Sequence, residues 1–270
     1  MSAHHDVTAI VPCFDYGEFL DDAVGSLLRQ TGGAPHVIVV DDGSTDPATL
    51  AALARLTVPV IRQDNAGLSA ARNAGIGVAY TPYVICLDAD DRLPPSALNT
   101  LKAAFAADPG IGFAYGVTAF FGEWTGEMTL PPWDPYRLLW RHTIGPVALT
   151  KRELWTDVGG YDPAFRTGYE DWDFWLGAVE RGWRGAKVEE VTFSYRRHGE
   201  TMVFGSRRDY RALFARLRAK HAPLYARRRE LAKASPASWP QRMLYRYFWG
   251  PRPVPAPVEH AIYRLLFRSR

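Results

Sequence analysis

Tyr83-Val-Ile-Cys-Leu-Asp-Ala-Asp-Asp91 is an apolar run that stops abruptly at three carboxylates. Five successive apolar residues do not alternate, so the run reads as a short strand buried on both faces. The residues before it repeat the theme. Val7-Thr-Ala-Ile-Val-Pro12 leads to Cys13, Phe14 and Asp15, Val37-Ile-Val-Val40 leads to Asp41 and Asp42, and Val58-Pro-Val-Ile61 is a third strand. Between them lie helical spacings. Tyr16 to Gln30 carries Phe19, Leu20, Ala23, Val24, Leu27 and Leu28, and Leu68 to Ala79 forms another such stretch. A further helix, capped by Ser44 or Asp46, takes Pro47 in its first turn and presents Leu50, Leu53 and Leu56. Doubly buried strands separated by helices predict a parallel sheet covered on both sides, a Rossmann-like α/β half with right-handed crossovers.

Ligands of such sheets sit beyond the carboxyl ends of the strands. That mouth would collect Phe14 and six carboxylates: Asp15, Asp41, Asp42, Asp88, Asp90 and Asp91. Helix caps and turns account for Asp46 and for Asp42. They do not account for Asp88-Ala89-Asp90-Asp91, where like charges repel unless a cation or a donor neutralises them. A divalent metal is the economical neutraliser, and hard carboxylates suit Mg²⁺ or Mn²⁺ gripping substrate phosphates.

The chain of 270 residues is 47% hydrophobic and 23% charged, which excludes a disordered or collagen-like protein. Its formal charge of +3 averages two unlike parts. Residues 205–270 hold 16 Lys/Arg and 3 Asp/Glu, a net of +13, leaving −10 on residues 1–204. Cys13 and Cys86 are too few for a disulfide framework, read as small buried apolar residues, and fit a reducing, cytosolic setting. No secretory signal is visible at Met-Ser-Ala-His-His-Asp, and no stretch approaches the ~18 apolar residues of a membrane span.

Beyond residue 100 the pattern changes. Residues 110–135 predict antiparallel strands and loops, and Trp133, Trp140, Trp155, Trp172, Trp175 and Trp183 crowd together. Gly168-Tyr-Glu-Asp-Trp-Asp-Phe-Trp-Leu176 opens a helix with acids in its first turns. Val188–Val191 and Phe193–Tyr195 predict two short strands leading to Arg196-Arg-His198. From Ser206 the sequence is helical, Arg-rich and interrupted by prolines.

Six blocks in order resemble the family 2 glycosyltransferases, inverting enzymes of the GT-A fold. They are Val11-Pro-Cys-Phe-Asp15, Val39-Val-Asp-Asp-Gly-Ser-Thr-Asp46, Asn65-Ala-Gly-Leu-Ser-Ala-Ala-Arg-Asn-Ala-Gly75, Val84-Ile-Cys-Leu-Asp-Ala-Asp-Asp91, Gly159-Gly-Tyr-Asp162 with Tyr169-Glu-Asp-Trp-Asp-Phe-Trp-Leu176, and Tyr195-Arg-Arg-His198. The resemblance spans about residues 7–200. It implies a GT-A domain over 1–204, with a nucleotide-sugar half at 1–92 and an acceptor half at 93–204, and leaves 205–270 as a basic, aromatic helical extension.

The resemblance implies a role for each block. Pro12 and Phe14 would meet the nucleotide base, and Asp15 stands where the family more often has Asn. Asp41 or Asp42 would accept a hydrogen bond from the base. Gly67, Arg72 and Asn73 would close over the nucleotide. In Asp88-Ala89-Asp90, Asp88 would face ribose or sugar and Asp90 would ligate the metal, with Asp91 as the alternative. His198 would be a second metal ligand. Asp171 would be the base that takes the acceptor proton, with its ionised form favoured at a helix N-terminus. Glu170, Trp172 and Trp175 would lie on the acceptor side.

Other readings fit less well. A nucleotidyltransferase would show a Gly-rich, basic phosphate loop after the first strand, and Pro12 to Gly17 offers none. A dinucleotide oxidoreductase needs a third Gly where Tyr80 stands. A non-catalytic carbohydrate-binding module would need neither Asp88 and Asp90 nor Asp171. The expected partners are a nucleotide sugar, UDP-linked by family habit, and a glycan or lipid-linked acceptor. Leu244-Tyr-Arg-Tyr-Phe-Trp249 and Ile262-Tyr-Arg-Leu-Leu-Phe267 suit helices on an anionic membrane, though the same composition could dock on the acidic body or on a second subunit. No nucleic-acid motif accompanies the charge. A cytoplasmic enzyme, peripheral on the membrane face and open to homo-oligomerisation, is the resulting expectation.

Overall fold

The computed structural model describes residues 4–198, 209–250 and 258. Its first half alternates β1 (Val7–Cys13), α1 (Gly17–Leu28), β2 (His36–Asp41), α2 (Pro47–Arg55), β3 (Val60–Arg62), α3 (Leu68–Val78), β4 (Tyr83–Cys86) and α4 (Ala97–Ala107). The strands pair in parallel in the order β3-β2-β1-β4. Every β1 residue is buried because the strand is central, with Leu20, Leu27 and Leu101 among the side chains of one core and Ala71 and Ile76 in another. β3 is the sheet edge, so it is shorter and more exposed than its apolar sequence predicts.

The second half extends the sheet through β5 (Phe113–Gly122), β6 (Gly126–Met128), α5 (Pro135–Leu138), β7 (Leu149–Lys151), α6 (Arg152–Val158), α7 (Glu170–Glu180) and β8 (Gly185–Arg197). β7 joins β4 and β5, antiparallel to both, and β5 and β6 form the expected antiparallel pair. The two short strands expected at 188–195 are one strand of 13 residues, parallel to β5. Two register shifts near Val117 interrupt the ladder and merge what the sequence divides. Together these form an eight-stranded mixed sheet with flanking helices.

The described part of the basic extension is not a free arm. α8 (Tyr210–Lys220), α9 (Ala222–Ala226), α10 (Arg228–Ala234) and α11 (Trp239–Leu244), which runs on into a π-helical turn at Tyr245–Trp249, follow one another closely. Leu213, Phe214, Leu217, Leu224, Tyr225, Tyr245 and Trp249 share one aromatic core with Phe113, Trp140, Trp172 and Trp175. The boundary expected at 204/205 therefore does not separate two cores. Of the settings weighed for this composition, the described helices adopt docking on the acidic body: Lys220 joins Asp162 and Asp173, each at 2.7 Å, and His221 Nε2 donates to Asp173 Oδ1 at 3.0 Å. Ile262–Phe267 lies outside the described residues. Both cysteines are free and buried, and no helix among the described residues is long and apolar enough to cross a membrane.

Candidate active site

The carboxyl ends of β1, β2 and β4 open onto one mouth. Phe14, which follows β1, is 45% exposed. The acidic loop after β4 finds hydrogen-bond donors within the chain itself. Arg72 Nη2 donates to Asp88 Oδ1 at 2.9 Å, and His198 Nε2 donates to Asp90 Oδ2 at 2.9 Å. Asp91 is buried and accepts the Arg196 N–H at 2.7 Å. Burial, and then the neighbouring Asp90 and Asp88, push the Asp91 carboxyl up to about 9, so it holds a proton at neutral pH. Burial and Asp88 raise Asp90 as well. Donors within the chain thus supply part of the compensation that the sequence argument asks of a cation or a donor.

β8 brings His198 to Asp90. Ser194 bridges to Arg92, while Arg196 Nε donates to the Asp90 carbonyl at 2.6 Å, and its guanidinium packs over Phe19 and Phe121. The donor set fits a divalent cation: one carboxylate and one imidazole, both partly open to solvent, meet with Asp88 nearby. Among the described residues no group of three such side chains forms a closed cage. Two protein ligands are enough where substrate phosphates supply others.

Arg72 crosses the mouth. Buried on α3, it donates through Nη1 to Glu170 Oε1 at 2.8 Å, tying Asp88 to the start of α7, and it lies over the Tyr161 ring. Burial, and then Asp171 alongside, push Glu170 up to about 7 against the pull of Arg72. Asp171 follows at the N-terminus of α7. Its Oδ1 accepts the Trp172 N–H at 2.7 Å, and its Oδ2 is 3.6 Å from His142 Nδ1. Burial pulls His142 below its ordinary value, so its ring is neutral near pH 7 and sets no full positive charge against Asp171. Arg72 thus links the acidic loop after β4 to the N-terminus of α7, where Asp171 is partly open to solvent.

A family model described as glycosyl transferase family 2 matches residues 8–169, more than half of the chain. The chain belongs to glycosyl transferase family 2. This glycosyltransferase is 29% identical over 209 residues to an uncharacterized glycosyltransferase of Mycobacterium tuberculosis, covering 75% of this chain and 91% of that protein. Of other curated relatives the chain spans as little as 28–33% of the length. TarS of S. aureus, solved in complex with UDP-GlcNAc, superposes with a TM-score of 0.66 at 18% identity, over 91% of this chain and 70% of that one. The mannosyltransferase PcManGT of Pyrobaculum calidifontis, solved with GDP-Man and Mn²⁺, gives 0.60 at 20% identity, over 96% and 80%. The fold is that of the GT-A glycosyltransferases.

The site of this glycosyltransferase differs in places from the sequence-based roles. Trp172 and Trp175 are not an acceptor platform: both are core, and the Trp172 indole donates to the Leu138 carbonyl at 2.7 Å. Glu170 is likewise buried and held by Arg72, not turned toward an acceptor. Asn73 clamps the chain, donating to the Tyr161 carbonyl and accepting from the Tyr161 N–H and the Trp155 indole. Gly160 lets that clamp close, since with φ +81° a Cβ there would sit 2.8 Å from Asn73 Oδ1. Asp41 and Asp42 are buried with all four oxygens engaged. Asp41 holds Ser44 N–H and Arg62, while Asp42 holds Gln63 and the N–H groups of Ala66 and Gly67. A base that hydrogen-bonds either carboxylate would share its oxygens with these turn contacts. Asp15, at φ +54°, accepts from Thr45 N and Asp46 N, and Pro12 and Ala89 are buried.

Sequence reasoning assigned His142 no role because no motif surrounds it, and only the fold brings it to Asp171. Arg196 carried a signal, since it lies within the Tyr195-Arg-Arg-His198 block. The Arg72 bridge makes a test. With its carboxyl raised to about 7, Glu170 favours the folded chain while protonated, fully below the ordinary carboxylate range, and loses that contribution as pH rises through about 7. Removing Arg72 leaves the ionised form unpaired. Arg72→Met is expected to melt on the order of 10 °C lower near pH 8, from a loss of about 3–5 kcal/mol. Near pH 6 the deficit shrinks, and adding Glu170→Gln restores most of it. Equal deficits at both pH values in thermal melts would show that the bridge carries no such energy.

Proposed function

We propose that this glycosyltransferase moves a sugar from a nucleoside diphosphate donor, UDP-linked in preference, to a hydroxyl of a glycan or lipid-linked acceptor, with inversion in a single in-line displacement. The observation that carries this reading is the Arg72 bridge, which ties the Asp88 loop on the donor side to the Glu170-Asp171 pair on α7. Donor and base are thereby held in one cleft. Phe14 offers its exposed face to a base. Asp42 fixes the Ala66-Gly67 turn from which α3 starts, and the first N–H groups of that helix suit a phosphate. Asp171 Oδ2 takes the acceptor proton as the hydroxyl attacks the anomeric carbon opposite the leaving diphosphate.

Asp90 and His198 are the residues that would hold Mn²⁺ or Mg²⁺, and a bound ion would supply charge neutralisation to the departing diphosphate. UDP-GlcNAc bound to TarS and GDP-Man with Mn²⁺ bound to PcManGT support a nucleotide-sugar donor and a divalent ion. We expect Mn²⁺ with UDP to raise the melting temperature of the protein, a chelator to cancel the rise, and Asp90→Ala to abolish the metal-dependent part. A full UDP-induced shift in chelator would remove the metal from the proposal. The product's anomeric configuration by NMR tests the displacement, because retention is incompatible with a single in-line step.

A further inference from the structure

Trp239, Met243 and Tyr247 recur at intervals of four along α11 and the π-turn that continues it, at 66%, 38% and 53% exposure. On a helix this spacing lines up one stripe. The opposite side is core: Tyr245 and Trp249 are buried. The stripe is thus surplus to folding. Arg242 and Arg246 flank it. Arg242 reaches the Ala232 carbonyl, Arg246 lies 5.0 Å over the Tyr247 ring, and neither forms an ion pair among the described residues. The neighbouring α10 exposes Arg229 and Lys233. Residues 210–250 carry ten Lys/Arg and one acid, Glu230, which is paired with Arg227.

We infer that this stripe is a docking surface for an anionic lipid bilayer. An indole, a thioether and a phenol beside guanidinium groups match the boundary between acyl chains and acidic headgroups, where aromatic rings settle and arginines meet phosphates. Charge complementarity favours that occupant over a second copy, since a face-to-face pair would set Arg242 and Arg246 against their own images. The placement has a geometric consequence. The π-turn packs on the segment that carries the candidate base's neighbour: Arg137 lies over the Tyr245 ring, Arg141 over the Trp249 ring, and the next residue is His142, facing Asp171. The stripe is thus the outer face of the same turn whose inner face packs on this segment.

Flotation of the full chain with phosphatidylglycerol–phosphatidylcholine vesicles, and with phosphatidylcholine alone, tests the inference. Binding is expected on the anionic vesicles only, weakening with salt. The variant Trp239→Ser/Met243→Ser/Tyr247→Ser should lose at least about tenfold in partition coefficient while melting close to the parent. Arg246→Gln should weaken binding and flatten its salt dependence. Equal flotation of parent and triple variant, or equal binding to neutral and anionic vesicles, would overturn the inference. So would a dimer in sedimentation that the triple variant dissolves. Sugar-nucleotide turnover in vesicle-free solution, unchanged in the triple variant, keeps the two readings separable. A protein that floats but turns over nothing loses the enzymatic proposal and keeps this surface.

Discussion

Asp171→Asn is expected to slow sugar transfer by roughly 10²–10⁴-fold, the usual worth of a positioned general base. The amide preserves shape and keeps an oxygen to accept the Trp172 N–H, but it cannot take the acceptor's proton. Because Asp171 makes no bond to the Asp88-Asp90 loop, the donor should still bind, and UDP-sugar should stabilise the variant as it does the parent. The effect therefore belongs in kcat and not in the donor KM. His142 refines the expectation. Its ring is neutral near pH 7, so His142→Asn removes a positioning contact without removing a counter-charge, and its cost should be far smaller than that of Asp171→Asn. Steady-state kinetics at saturating donor decide the matter. Wild-type kcat in Asp171→Asn would move the base to another residue.

A chain ended at Ser206 is expected not to fold. It would lack Leu213, Phe214, Leu217, Leu224, Tyr225, Tyr245 and Trp249, all buried against the body. At about 1.5–3 kcal/mol for each large side chain, their burial is worth roughly 10–20 kcal/mol, on the scale of the whole net stability of a domain. The truncation would also strip Lys220 and His221 from Asp173, leaving a buried carboxylate without its partners. Soluble expression and circular dichroism measure this directly. A truncated chain that melts cooperatively near the parent temperature would show that the extension merely rests on a finished fold.

The sheet was legible because its strands are buried on both faces, a pattern that few arrangements other than a helix-covered parallel sheet can satisfy. The mouth was legible for the same reason: the acids stand where such strands end. What the mouth does with each acid was not. Asp41, Asp42 and Asp15 look alike in sequence, yet bonds to Ser44, Ala66, Gly67 and Thr45 commit them to turns. Only Ser44 is local to its acid; Ala66 and Gly67 meet Asp42, and Thr45 meets Asp15, from other segments that the fold brings together. The indoles beside Asp171 misled for a simpler reason. Trp172 and Trp175 have the spacing of a buried helix face, and a second core large enough to take them exists only because residues 210–249 return to build it. Arg72 reaching Glu170 and His142 reaching Asp171 are tertiary meetings with no local trace.

That returning segment also sets a schedule for synthesis. Trp140, exposed until its partners arrive, packs edge-on to Tyr225 and adjoins Gly250 in the finished protein. At ordinary elongation rates the interval between making residue 140 and residue 250 is roughly 5–20 s. During it the nucleotide half has all its strands, while the aromatic wall behind the acceptor side stays open on the ribosome. The nascent chain thus carries a sticky patch of tryptophan and tyrosine for seconds, a natural target for a holding chaperone, and the enzyme's two halves mature at different times.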